Sequence, residues 1–165
     1  MGVPESLVGR AEWLLGGVHR RAREHAWSAA QWSKKRQRLV WASVLATAAS
    51  VTAVAEAFAQ TPPLAIVAAV LAAFAAGTAE YERRTDPSKQ VQDHTTAQVK
   101  FELLVSDFRH FVQHQATHLP ADEAERIYDQ IEARRKEAVA SSVPVEPDAH
   151  RALGPDPRAS RAEPA

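Results

Sequence analysis

The chain has 165 residues, 20 Lys and Arg against 20 Asp and Glu, a formal net charge of +0 at pH 7 and no cysteine. Zero bulk charge gives no reason to expect nucleic acid or an acidic substrate as partner, and the lack of cysteine excludes disulfides, thiolate metal sites and cysteine nucleophiles. The length allows one compact unit plus a tail.

Residues 1–38 read as an N-terminal cytoplasmic amphipathic helix. Leu7, Ala11, Leu14, Val18, Ala22 and Ala26 recur at helical spacing, opposite Arg10, Arg20, Arg21, Arg23 and Glu24, and Ser6 is placed to cap the start. Trp13 is expected to pack against another helix. Nothing between Ala26 and Val40 breaks a helix, so it runs on into the apolar stretch that follows.

Two apolar segments then stand back to back, 39–59 and 64–81, joined by Gln60-Thr61-Pro62-Pro63. About 20 residues of helix span about 30 Å, the thickness of a hydrocarbon core. The short spacer makes the two helices antiparallel, and the reading is a transmembrane hairpin. Lys34, Lys35, Arg36 and Arg38 precede the first segment, Arg83 and Arg84 follow the second, and the spacer has no Lys or Arg. That asymmetry predicts an inner-membrane protein with both termini cytoplasmic, these six residues at lipid headgroups, and Trp32, Trp41 and Tyr81 as interfacial rings.

Both segments are alanine-rich, so their apolarity is marginal, and an alanine-rich hairpin buried in a helical bundle is the competing reading. A cleaved signal peptide ending at Ala57-Phe58-Ala59 fits less well, because a second apolar segment follows at once. Ala65, Ala69, Ala73 and Gly77 form a small-residue ladder that lets helices approach closely, which predicts a homo-oligomer. Ser43, Thr47, Ser50 and Glu56 are candidates to line a pore; the competing role for the hydroxyls is a bond back to their own helix.

Pro87 interrupts the path after the second segment, and residues 82–140 read as cytoplasmic helices. Phe101, Leu104, Val105, Phe108, Phe111 and Val112 share one face. A further helix starts near Pro120 with Asp122 and Glu123 in its first turn. Five prolines after Ser141 predict a disordered tail over 141–165. The expected fold is thus an all-α membrane protein, a two-helix transmembrane hairpin with flanking helices packed as a bundle.

His110, His114 and His118 at four-residue spacing are the one metal-like pattern, and a solvated helix face explains them better. No phosphate loop, nucleophile elbow or zinc-protease motif occurs, so neither enzyme activity nor a cofactor is expected.

The order of parts resembles the SLATT family of bacterial two-helix membrane proteins. The resemblance rests on Trp27 and Trp32 in a charged N-terminal helix, the basic run Lys34–Arg38, the tight hairpin, His94, and Phe101-Glu102-Leu103-Leu104-Val105-Ser106-Asp107-Phe108-Arg109-His110-Phe111, and covers about residues 10–135. It implies an effector of bacterial anti-phage conflict that oligomerises and disrupts the host membrane, with a nucleotide-signalling or sensor protein encoded nearby as partner. A non-enzymatic membrane scaffold whose cytoplasmic helices recruit a partner is the alternative.

Overall fold

The computed structural model describes residues 6–57 and 62–154, with side chains over 6–49, 66, 67 and 69–154. Among these residues the fold is all-helical: α1 (Leu7–Ala57), α2 (Pro62–Thr85), α3 (Pro87–His110), a π turn (Phe111–Gln115), α4 (Ala121–Ser141) and α5 (Pro147–Ala152). Ser6 begins α1 as a side-chain cap, its Oγ accepting the Gly9 N–H at 3.0 Å. A single residue separates α2 from α3. Asp86 takes a positive φ of 38°, which short polar side chains tolerate, and its Oδ1 caps α3 by accepting the Lys89 N–H at 3.1 Å.

The chain divides into two compact units, one of Met1–Ala29 with Gln92–Ala165 and one of Ala30–Val91. In the first, Ala11, Val18 and Ala22 of α1 share a core with Phe101, Leu104 and Phe108 of α3, Phe111 of the π turn, and Ala124, Tyr128, Ile131 and Ala138 of α4. Small residues on α1 leave room for the phenylalanines opposite, each of which gains about 2–3 kcal/mol on burial. Phe108 meets Tyr128 edge-on at 6.5 Å, and the Arg10 guanidinium lies 5.3 Å over the same tyrosine ring. Trp13, expected to pack against another helix, is partly exposed.

In the second unit Leu71, Ala75, Thr78, Glu82 and Thr85 are among the less exposed positions of α2 and form one face at spacings of four and three. On α1 the corresponding face is Leu39, Ala42, Ala46 and Ala49, with Ala46 buried.

No helix among the described residues is long and apolar enough to cross a membrane. This corrects the expected membrane hairpin over 39–59 and 64–81, and with it the inner-membrane location and the pore-forming role. Two physical reasons stand behind the correction. Alanine, which dominates both segments, is nearly neutral toward a bilayer. The segments also belong to longer amphiphilic helices: the basic run Lys34–Arg38 lies inside α1, and Glu80, Glu82, Arg83 and Arg84 lie inside α2. Without a span, the lining role of Ser43, Thr47, Ser50 and Glu56 has no premise, nor has headgroup contact by Lys34, Lys35, Arg36, Arg38, Arg83 and Arg84. Phe58, Ala59 and Gln60-Thr61 of the expected hairpin lie outside the described residues, as does 155–165 of the expected tail. The tail begins otherwise than its prolines suggest: 147–152 form α5, and Ala149 is fully buried. Pro147 stands in the first turn of that helix, where its missing N–H costs nothing.

Candidate functional site

The polar centre of the first unit grows out of the same periodicity that builds its core. On α1 the stripe Val18, Ala22 continues at His25 and Ala29; on α3 the stripe Phe101, Ala97 continues backwards to His94. Both histidines are therefore carried inside, at 0% and 1% exposure, with His25 Nδ1 3.1 Å from His94 Nδ1. One ring must donate and the other accept, so the neutral pair holds opposite tautomers at these nitrogens. His25 stacks on Phe101 at 5.4 Å and 14°, while its Nε2 has no hydrogen-bond partner. Burial, then His94 and Arg21, push His25 down from 6.5 to about 4, against the opposing pull of Glu24. Burial also lowers His94, against Glu146 and Asp93.

One turn away, Arg20, Glu24 and Ser28 follow one another at four-residue spacing on α1. Each fastens the C-terminal part of the unit. Glu24, buried, accepts from Arg20 Nε at 2.8 Å and lies 2.9 Å from His150 Nδ1 on α5. Arg20 Nη2 donates to the Gly154 carbonyl at 3.2 Å, and the Glu146 N–H donates to Ser28 Oγ at 3.4 Å. Beside this row lies a cavity of about 540 Å³, walled by Trp13, Val18, Arg21, Phe101, Arg135 and the 142–145 segment.

The sequence reading missed this centre. His25 carried a signal, a histidine in phase with an apolar stripe, and Ser28 completed the four-residue row. His150 carried none, because it stands in a segment whose composition argues for disorder.

The residues singled out from sequence lie elsewhere. Thr47 is exposed and its Oγ1 donates to the Ser43 carbonyl at 2.8 Å, the back-bonded state of a helical hydroxyl. Ser43 is half-buried; the side chains of Ser50, Glu56 and Ala65 lie outside the described residues. Ala69, Ala73 and Gly77 are exposed, and a Cβ added at Gly77 would meet nothing within 4 Å. Among the described residues, these three positions of the ladder are thus left uncovered. Lys34, Lys35, Arg36 and Arg38 are exposed, with Lys35 Nζ 4.1 Å over the Trp32 ring. Arg83 and Arg84 both pair with Glu80, at 3.0 and 2.7 Å. His110 and His114 are exposed with rings 5.1 Å apart, but the helix turns to π geometry at Phe111 and ends before His118, so the three do not keep four-residue register.

Comparison with known protein families, curated proteins and solved structures found no match to this chain.

Proposed function

We propose that this chain is a non-enzymatic helical scaffold that assembles with copies of itself through an apolar face of its second unit. One observation carries the reading. Val67, Val70, Phe74 and Tyr81 stand at spacings of three, four and seven on α2, and are 49%, 62%, 55% and 53% exposed. That is the spacing of a coiled-coil seam, left uncovered among the described residues. Large apolar side chains gathered on one face mark an interaction surface, because each exposes area whose burial is worth about 25 cal/mol per Å².

A second copy is the partner that best fits the face. A seam of heptad spacing is self-complementary, so a two-fold axis lets both copies bury the same residues. Ala69 and Ala73 alongside, and Gly77 within the seam between Phe74 and Tyr81, permit close approach. Net charge of zero leaves no long-range repulsion between copies. Trp41, Val44 and Leu45 on α1, also exposed, extend the apolar area available. The setting we infer, from the SLATT resemblance alone, is a bacterial conflict system, with a nucleotide-signalling protein encoded nearby as a further partner.

Sedimentation velocity of the full chain over a hundredfold range of concentration tests the assembly. The expected result is a reversible oligomer that Val70→Glu with Phe74→Glu converts to monomer, with helix content by circular dichroism unchanged. A chain that stays monomeric throughout, or an oligomer indifferent to the double substitution, overturns the reading.

A further inference from the structure

We propose that the cavity of the first unit is a binding site for a small amphipathic anion, a carboxylate or phosphate carried on an apolar body. The site is separate from the apolar face of the second unit and does not depend on it. Its volume, about 540 Å³, lies in the range of small-molecule sites.

The charged groups on its walls set the sign of the ligand. Arg20, Arg21 and Arg135 bring three guanidinium groups, and Glu24 a single carboxylate. That carboxylate is already engaged by Arg20 and His150. Arg21 has no carboxylate within ion-pair distance among the described residues. Arg135 reaches Glu132 only through Nη2, at 3.5 Å, the long end of a hydrogen bond. An anionic oxygen is the acceptor a guanidinium favours. A cationic ligand would meet three guanidinium groups and a single carboxylate whose Oε1 is already paired twice.

The other walls set the body. Trp13, Leu14, Val139 and Val143 line the same space with part of their surface uncovered, so an apolar or aromatic group has surface to cover. Residues 142–145 close one side, held there by the contacts from Glu24 to His150 and from Arg20 to Gly154.

Calorimetric titration of the full chain with phenyl phosphate, phenylacetate, phenylacetamide and inorganic phosphate tests the site. The expected result is that at least one of the two aromatic anions binds, which decides between phosphate and carboxylate. Both the neutral amide and inorganic phosphate are expected to bind at least about tenfold more weakly, having lost the charge or the body. Arg21→Gln, at an exposed position, and Arg135→Gln should each weaken the anion about tenfold. Arg135→Lys should recover part of the loss and serves as the folding control. The Trp13 indole N–H should shift in the NMR spectrum on binding. Equal affinity for the amide overturns the assignment of charge, and equal affinity for inorganic phosphate overturns the assignment of an apolar body. The site itself falls if neither aromatic anion binds, if both arginine substitutions leave binding unchanged, or if the shifts fall on 66–81 with Trp13 unmoved.

Discussion

Glu24 and His150 lie 126 positions apart in the chain, and the buried carboxylate of the one sits 2.9 Å from Nδ1 of the other. The same oxygen accepts from Arg20 at 2.8 Å, so one carboxylate joins the N-terminal helix to the last helix described. Removing it leaves Arg20 with only the Gly154 carbonyl and α5 with one anchor fewer. Glu24→Ala is expected to cost about 1–3 kcal/mol in urea denaturation, because Glu24 is buried while its partners Arg20 and His150 keep contact with solvent. Hydrogen exchange should show 147–152 opening more readily, while 101–111 stays protected. A uniform loss of protection would mean that Glu24 supports the whole unit and not α5 in particular.

The histidine pair makes stability depend on pH in a defined window. His25 is lowered from 6.5 to about 4 in the folded state, so as pH falls below 6.5 the unfolded chain takes the proton and the folded chain does not. The stability from this group is therefore fully present above pH 6.5 and declines as pH falls toward 4. The shift corresponds to about 3 kcal/mol across that interval. The groups facing it are His94 from α3, whose lowered value acts in the same direction, with Arg21 and Glu24 from α1. Thermal melts between pH 7.5 and 4 should show the decline in the wild type and a shallower slope in His25→Phe. Parallel slopes in the two proteins would assign the decline to other groups.

Phe108 and Leu103 share α3 and differ in what covers them, the phenylalanine being fully buried and the leucine 62% exposed. Phe108→Ala removes a ring packed on Tyr128 and should cost about 3–5 kcal/mol. Leu103→Ala should change stability by less than about 0.5 kcal/mol. Chemical denaturation of both variants checks the contrast, and similar losses would place the core on a different face of α3.

Asp86 does two things at once, holding a positive φ and capping α3, and substitutions separate them. Asp86→Asn keeps a side chain that accepts a hydrogen bond and tolerates the left-handed region, so a change under about 0.5 kcal/mol is expected. Asp86→Gly relaxes the backbone and loses the cap. Asp86→Ala loses the cap and keeps the strain, and should be the worst of the three, by about 1–2 kcal/mol relative to wild type. Melting temperatures in the order Asn, Gly, Ala are the expected outcome; Ala at or above Gly would remove backbone strain from the explanation.

The periodic faces were legible in the sequence because a helix turns every 3.6 residues whatever surrounds it. Leu7, Ala11, Val18 and Ala22 on α1, and Phe101, Leu104, Phe108 and Phe111 on the third helix and its end, lie on the faces their spacing predicts. Pro87 likewise restarts a helix, since its ring can continue none that came before it. What surrounds a face is decided by packing, and there local pattern was insufficient. The alanine-rich stretches have the length of a membrane span, yet alanine contributes too little apolarity for a segment bordered by Lys34–Arg38 and Glu80–Arg84. His25 and His94 look like polar interruptions until tertiary contact makes each the other's hydrogen-bond partner, 69 positions away. The proline-rich stretch after Ser141 has no apolar run to announce order, yet it holds α5, with Ala149 buried and Arg20, Glu24 and Ser28, on a helix more than a hundred residues earlier, bonded to it.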